Sequence, residues 1–355
     1  MNETVRIAVI GLGAIANEHL AACRAVAGAK IVAVCDVRAE NVHARAAEFG
    51  ARGYTDFRAL FVEVEIDLAL VLTPASTHRP IVEAAAAAGA HVFCEKPLAN
   101  RLEDAEAMVA ACDAARVKLF YGSIYRYLPA VRTARAMILA GAIGKVLLMS
   151  EQMIGGNGAA GYRHLDAVHY PHGGPGGTGM GLVDHGVHLI DIFSWIEGAP
   201  PDRVSGQGQI SGAPAITEQM TMHFPSGAVG HLLYNGSTFG DFLPAEGMFS
   251  GGQSWRTDGS LAPPGAWLSE PASLSVFGTT GAMRIFQFAN ALFLNDGTGI
   301  RQIPLTGRAS PGHFITQLEE VLDAITADRA PSIPGSVALD ALRALLAVYP
   351  EGASA

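Results

Sequence analysis

The chain has 355 residues, of which 50% are hydrophobic and 16% are charged, and its formal net charge is -9. This acidic balance excludes a broad interface with the phosphate backbone of DNA or RNA, and no uninterrupted apolar run is long enough to span a membrane. The length favours two domains. The N-terminus lacks the basic segment of a secretory signal, so we expect a soluble cytoplasmic protein that works on small molecules.

Apolar strands alternate with amphipathic helices through the first third of the chain. A chain that repeats strand and helix in this way requires a parallel sheet with helices on both faces. Ser76 or Thr77 is expected to cap the helix that runs to Ala88. The strands are predicted at 5–10, 30–36, 67–73, 91–94 and 117–121, and further helices at 39–49, 56–64 and 102–115.

A glycine turn follows the first strand. Gly11 and Gly13 stand in the pattern Gly11-Leu12-Gly13-Ala14-Ile15-Ala16, and the second strand ends at Asp36. The first glycine permits a sharp turn into a helix, the second lets a pyrophosphate approach the backbone, and the acid can accept hydrogen bonds from ribose hydroxyls. Tight packing alone can also select such a turn. The strand, helix and acid at these spacings favour dinucleotide binding.

The pattern changes after Tyr121. Helices are predicted at 129–140, 182–196, 313–327 and 337–348, and the stretches 155–181 and 236–271 read as glycine-rich loops. Short strands with turn residues between them favour a mostly antiparallel sheet. We therefore predict a Rossmann doubly wound parallel sheet in residues 1–124 and an α+β substrate-binding and oligomerisation domain in 125–355. The second set of strands is predicted at 145–154, 203–210, 216–224, 228–234, 272–277, 282–288 and 291–294.

Two short segments are candidates for chemistry. Lys96 follows a parallel strand, at the sheet edge where ligands bind, and its ammonium would stabilise negative charge on a substrate oxygen. A solvated lysine beside Glu95 is the alternative. Asp184 and His188 are four residues apart on one helix, so a histidine suited to proton transfer faces a carboxylate that orients it. His185 points elsewhere on this helix and is expected to be packed or hydrogen-bonded at an interface.

Further polar residues lie nearby. Tyr125 and Arg126 follow the last parallel strand and either contact substrate oxygens or anchor the crossover. A metal site is not expected, because the histidines between 164 and 188 lie largely in a glycine-rich stretch without fixed ligand spacing. All four cysteines fit neither a zinc nor a disulfide pattern and are expected to be buried reduced thiols: Cys23, Cys35, Cys94 and Cys112.

Together, the GLGAIA turn, the acid that ends the second strand, the Glu-Lys-Pro segment at 95–97 and GGTGMGLVDHGVH resemble the glucose-fructose oxidoreductase / inositol dehydrogenase / rhizopine catabolism family. The resemblance covers nearly the full chain. It implies a catalytic group of Lys96, Asp184 and His188 in an interdomain cleft, and homodimer or homotetramer contacts through an open-faced C-terminal sheet. It also implies NAD(P)-dependent oxidation or reduction of a sugar, cyclitol or related hydroxyl compound.

The cofactor is expected to be NAD, because a carboxylate at Asp36 repels a 2′-phosphate. Arg38 leaves NADP possible. Two other functions stay open: a glycoside-cleaving enzyme that uses NAD for transient oxidation, and a dihydrodiol dehydrogenase. Substrate contacts are assigned to Lys96, Tyr125, Arg126, Asp184 and His188. Cofactor contacts are assigned to Gly11, Gly13, Ala14, Ile15, Asp36, Val37, Arg38, Thr73, Pro74, His78, Glu95 and Lys96.

Overall fold

The computed structural model describes residues 4–156, 181–208, 217–239, 273–287, 289–308 and 311–349. Within the helices and strands, the side chains of 155–156, 181, 184 and 236–239 lie outside this description. Most of the two predicted glycine-rich loops, 155–181 and 236–271, therefore falls outside the described residues, together with His164, His169 and His172.

A parallel sheet of six strands forms the first half of the structure. Its order is β3-β2-β1-β4-β5-β6, and every adjacent pair is parallel. The order reverses between β1 and β4, which opens a crevice at the carboxyl ends of the strands. The strands are β1 Val5–Ile10, β2 Ala29–Cys35, β3 Arg52–Tyr54, β4 Leu68–Val71, β5 His91–Glu95 and β6 Leu119–Gly122.

Helices connect these strands and cover both faces of the sheet. All four residues of β4 are buried, as a strand covered on both faces must be. This arrangement confirms the predicted Rossmann sheet. The helices are α1 Ala16–Ala25, α2 Ala39–Phe49, α3 Phe57–Glu63, α4 His78–Ala87 and α5 Leu102–Ala115.

An eight-stranded sheet forms the second half. Its order is β14-β13-β12-β11-β7-β10-β9-β8, with β7 and β10 parallel and the other pairs antiparallel. The largely antiparallel sheet is thus confirmed. Its strands are β7 Val146–Gly156, β8 Arg203–Gln207, β9 Glu218–His223, β10 Val229–Phe239, β11 Leu274–Gly278, β12 Ala282–Phe286, β13 Ala291–Asn295 and β14 Ile300–Gln302.

One face of this sheet packs on helices and the other carries exposed apolar side chains. Met149 on β7 and Leu232 on β10 are fully buried, whereas Leu148, Ile154 and Phe277 on the opposite face are exposed. The remaining helices are α6 Pro129–Leu139, α7 Val187–Glu197, α8 Gly312–Thr326 and α9 Gly335–Leu346.

The two C-terminal helices pack against the first half. Helix α8 lies on α1, where the rings of His19 and Phe314 meet edge to face at 5.1 Å. Helix α9 packs on α5 and α7, and just before it the carbonyl of Ile333 accepts a 2.9 Å hydrogen bond from the backbone N–H of Tyr121. Helix α9 therefore connects α5 of the first half to α7 of the second.

Three local predictions differ from the structure. Thr77 does not cap α4 through its side chain, because a 3₁₀ turn at Ala75–Thr77 precedes the helix and its hydroxyl donates back to the carbonyl of Pro74 at 2.8 Å. The short strands β3 and β14 were not predicted, since three residues carry too little periodicity. The predicted helix 182–196 begins as a π-helix, Gly181–Gly186, before α7.

Candidate functional site

The glycine turn lies at the carboxyl edge of the parallel sheet. Gly11 has φ +93°, and a Cβ there would meet the carbonyl oxygen of Leu72 at 2.7 Å, so only glycine fits. A Cβ on Gly13 would have no atom within 4 Å, which leaves open space above the start of α1. Ala14 and Ile15 are exposed in the same turn. The turn thus offers an accessible helix N-terminus, the kind of place where a phosphate binds.

Asp36 is fixed beside this turn. Its carboxylate accepts backbone hydrogen bonds from Leu12 at 2.8 Å and from Arg38 at 2.9 Å, and the side chain is almost fully buried. The Arg38 Nε lies 3.6 Å from the carboxylate, and the Arg38 and Val37 side chains are exposed. The end of β2 therefore places the Asp36 carboxylate at a defined position on the sheet edge.

His78 supports the loops at this edge from below. It is fully buried, with Nε2 2.7 Å from the carbonyl of Thr73 and Nδ1 2.9 Å from the carbonyl of Leu98. Because both ring nitrogens face backbone carbonyls, the geometry argues against the expected direct cofactor contact by His78. The residue instead fixes the loop after β4, where Thr73 is half-buried and Pro74 is exposed.

Glu95 is similarly occupied. Its carboxylate oxygens lie 2.9 Å from Nε2 of His19 and 3.0 Å from the backbone N–H of Lys96, and both side chains of the His19–Glu95 pair are buried. The predicted cofactor contact by Glu95 is therefore better described as support for the segment that carries Lys96. Lys96 itself is half-buried at the end of β5.

His188 comes to this edge from the other half of the chain. It lies on α7 and is 5% exposed. Burial, reinforced by Lys96 and His185, holds the pKa of His188 well below its ordinary value of 6.5. Within the described part of the chain, no group bonds to its buried Nδ1. Burial thus favours the neutral form of the imidazole, which is the form that can accept a proton.

The backbone of Asp184 lies in the π-helix that leads into α7, and its side chain is outside the described residues. The four-residue spacing from Asp184 to His188 therefore crosses from a π-helix, which bonds residue i to i+5, into an α-helix, and the orienting role of Asp184 stays a prediction. Single π turns of this kind are frequent at functional sites.

A buried carboxylate lies under the π-helix. Glu151, on β7, is 1% exposed. His185 Nε2 lies 2.9 Å from its carboxylate, the Tyr234 hydroxyl donates to it at 2.6 Å, and the Gln287 amide donates to it as well. Burial, together with Glu151, raises the pKa of Tyr234 well above its ordinary range. His185 is therefore hydrogen-bonded in the interior of the chain.

Tyr125 joins His185 to His188. Its hydroxyl lies 3.3 Å from His185 Nδ1, and its ring stacks on the His188 imidazole with centroids 4.0 Å apart and planes 6° apart.

Arg126 lies beside Tyr125 but turns inward. Its Nε donates to Asp191 at 2.7 Å, Ser123 donates to the same carboxylate, and the guanidinium lies 5.1 Å from the Trp195 ring centroid. The alternative in which Arg126 anchors the crossover is the one that this geometry favours, and it argues against direct substrate contact.

The described residues offer neither a metal site nor a membrane-spanning helix. Among the described residues, no group of three or more His, Cys, Asp or Glu side chains could hold a metal ion. In the same part of the chain, no helix is long and apolar enough to cross a membrane. The four cysteines are free and buried, and burial raises the pKa of the Cys23 thiol to about 12.

Both halves of the chain match families of known proteins. Residues 5–123 match the family described as an oxidoreductase family with an NAD-binding Rossmann fold, and residues 131–284 match the GFO/IDH/MocA C-terminal domain. The chain belongs to the GFO/IDH/MocA oxidoreductase family. It is thus a member of an NAD-binding family, as the resemblance implied.

Curated relatives in the GFO/IDH/MocA family match only part of the chain. A D-apiose dehydrogenase of Paraburkholderia graminis is 41% identical over 138 residues, which are 39% of this chain and 37% of the relative. Inositol 2-dehydrogenase 3 of Saccharopolyspora erythraea is 33% identical over 195 residues, 54% of each chain. The matched stretches thus span about half or less of these relatives' lengths.

Solved structures resemble the fold over almost its whole length. The aldose-aldose oxidoreductase of Caulobacter crescentus, solved with glycerol, has a TM-score of 0.78 at 22% identity, with 98% of this chain and 96% of that chain covered. At this identity the similarity establishes the GFO/IDH/MocA architecture alone.

Four residues that make buried hydrogen bonds beside Lys96 and His185 were not identified from the sequence. Glu151 could have been found, because the alternation of β7 puts it on the same face as the buried Met149. His19, Tyr234 and Gln287 carry no comparable signal. Each lies far along the chain from the residue that it contacts.

Proposed function

We propose that the chain is an NAD-dependent oxidoreductase that transfers a hydride between the nicotinamide and a hydroxyl-bearing carbon of a sugar, cyclitol or related polyol. The observation that carries this proposal is that Lys96, at the end of β5, lies close enough to the buried imidazole of His188, on helix α7, to lower its pKa. A cation for the substrate oxygen and a base for its proton are the two groups that the reaction needs.

The residues at the glycine turn fit a dinucleotide. The open space above Gly13 and the exposed residues Ala14 and Ile15 suit a pyrophosphate, and Asp36 suits a ribose diol. Thr73 and Pro74 border the same crevice. We infer NAD over NADP from the buried Asp36, although Arg38 is near enough to meet a phosphate.

In the direction of oxidation, His188 accepts the hydroxyl proton of the substrate. Its depressed pKa keeps it unprotonated for this role. Lys96 stabilises the negative charge that develops on the oxygen, and NAD supplies the hydride acceptor when it is bound. Asp184 is proposed, on its residue type and position, to orient these groups. Tyr125 is proposed to border the substrate.

The substrate class rests on the relatives. The names of two of them specify an apiose and an inositol as substrates, both of which are rich in secondary or primary hydroxyls. A pocket that offers a cation and a base suits any such carbon, so the proposal extends to the class and not to one compound.

The test is a spectrophotometric screen of sugars, inositols, sugar acids and dihydrodiols with NAD and with NADP. We expect NADH formation with at least one polyol. Lys96→Met and His188→Asn should reduce turnover far more than they reduce cofactor affinity. Lys145→Met and His231→Asn, on residues outside the site, are the matched controls and should retain wild-type turnover.

Two other results would change the assignment. Consumption of a glycoside without net NADH, by protein that keeps NAD through purification, would indicate the glycoside-cleaving alternative. Turnover restricted to dihydrodiols would indicate the dihydrodiol dehydrogenase. Wild-type turnover in either site variant would refute the roles of Lys96 and His188.

We further infer that residues 1–124 form the cofactor-binding unit and 125–355 the substrate and assembly unit, because the first sheet ends at Gly122. A homodimer or homotetramer through the open sheet face follows from the exposed Leu148, Ile154 and Phe277. Light scattering should show a dimer or tetramer that Phe277→Lys dissociates. A monomeric wild-type protein would exclude this assembly.

A further inference from the structure

The stacked pair of Tyr125 and His188 has a consequence for the reaction, and this inference rests on the proposed function. We propose that Tyr125 is a positioning residue that holds the His188 imidazole in place, and that a buried hydrogen-bonded chain through His185 to Glu151 holds Tyr125. Tyr125 would thus act through His188, in addition to any contact with substrate.

His188 needs such a support. A histidine that acts as a base is usually oriented by a hydrogen bond from its second nitrogen to a carboxylate or carbonyl. In the described residues, no group makes that bond to the buried Nδ1 of His188. The ring face is instead covered by Tyr125, with centroids 4.0 Å apart and nearly parallel planes. Stacking by Tyr125 therefore fixes the plane of the imidazole.

Tyr125 and its neighbour Arg126 together make three contacts with the helical segment 181–197. The Tyr125 hydroxyl reaches His185, its ring lies on His188, and its neighbour Arg126 is bound to Asp191. Because all three partners lie on the segment that carries the base, Tyr125 and His188 are fixed relative to each other.

Glu151 secures the far end of this chain. Its carboxylate is bonded by His185, Tyr234 and Gln287, which come from three separate parts of the chain. A buried carboxylate with this many donors has a fixed position, because each lost hydrogen bond would leave an unpaired polar group in the interior. The position of His185, and through it that of the Tyr125 hydroxyl, is set by the sheet.

The test separates ring stacking from the hydroxyl contact. Tyr125→Phe keeps the ring and loses one hydrogen bond, so kcat should fall by about fivefold. Tyr125→Leu loses the stacking too, and kcat should fall by a further factor of about 10. NADH affinity should not change in either variant. Tyr127→Phe is the matched control. Tyr127 lies in the same 3₁₀ turn as Tyr125, but its hydroxyl bonds to Ser332, so its loss should leave kcat unchanged.

A double variant tests the chain itself. Glu151→Gln should lower kcat to a similar extent as Tyr125→Phe, and the two changes together should lower it no further than the larger single effect. If the double variant lowers kcat by the product of the two single effects, the two residues act independently and the proposed hydrogen-bonded chain is refuted. A rise in substrate KM with kcat unchanged would show that Tyr125 contacts substrate and does not position His188.

A measurement without turnover keeps this inference independent of the proposed function. The ring current of Tyr125 should shift the His188 ring proton resonances in NMR spectra of the full chain, with His188→Asn providing the assignment. The shift should persist in Tyr125→Phe and vanish in Tyr125→Leu. An unchanged His188 resonance in Tyr125→Leu would refute the positioning role, whereas an inactive wild type with the expected shifts would refute only the proposed reaction.

Discussion

Replacing Asp191 with asparagine should strongly destabilise the fold. Asp191 is 0% exposed and accepts from Arg126 Nε at 2.7 Å and from the Ser123 hydroxyl. The Arg126 side chain is itself almost fully buried. Removing the carboxylate charge leaves this guanidinium in the interior without its counter-ion, and breaking a buried pair in this way costs about 3–5 kcal/mol.

The free energy of unfolding can be measured by urea titration, followed by far-UV circular dichroism and by tryptophan fluorescence. Trp195 lies against the Arg126 guanidinium and so reports on this site. Asp328→Asn is the matched control: Asp328 pairs with Lys118 but is 94% exposed, so its loss should leave the urea midpoint unchanged.

Two outcomes would refute this reasoning. One is an Asp191→Asn protein whose stability lies within about 1 kcal/mol of the wild type, since the penalty for an unpaired buried charge would then be absent. The other is a double variant, Arg126→Met with Asp191→Leu, that is as unstable as Asp191→Asn. Apolar residues of similar volume should recover most of the loss, because no charge then remains unpaired.

The remaining predictions concern the cofactor edge and pH. Gly13→Val should leave the melting temperature unchanged, because its side chain meets open space, but should weaken NADH binding by about tenfold or more in a fluorescence titration. Gly11→Ala should lower the melting temperature, because the added Cβ would contact Leu72. Equal changes in melting temperature for the two variants would contradict the geometry. The pKa of His188 is depressed, so its base form persists as the pH falls through 6.5, and the acid limb of the kcat profile should lie below that value; a limb above it would contradict the assignment. Asp36→Ser should raise NADPH affinity relative to NADH by about tenfold, and an unchanged ratio would remove Asp36 from the specificity argument.

The parallel sheet was predictable because local pattern dictates it. Strands covered on both faces are apolar throughout, and glycine and proline residues mark the ends of the helices between them. Helices α2 and α5 begin and end at the predicted residues, 39–49 and 102–115. The family resemblance is confirmed, since its motifs combine residues at fixed spacing with the order of the two sheets.

The interior of the site was less predictable, because it depends on contacts between distant residues. Sequence position marked Lys96 and His188 as candidates, and their catalytic roles stay predictions. It could not reveal that Arg126 turns towards Asp191, since an arginine after a strand can point either way. Nor could helical periodicity reveal the π-helix at 181–186. A π-helix bonds residue i to i+5 where an α-helix bonds i to i+4, and the amino-acid composition of the segment does not distinguish the two.

The position of Glu151 in β7 constrains how this protein can change over generations. Its neighbours in the strand, Ser150 and Gln152, belong to the opposite face, so inserting or deleting one residue upstream in β7 would exchange the buried carboxylate for one of them. Loops at the sheet edges can lengthen with little penalty, but this strand cannot. Chains that share the Glu151 network should therefore vary in their loops and keep the length of β7 between Val146 and Glu151 constant.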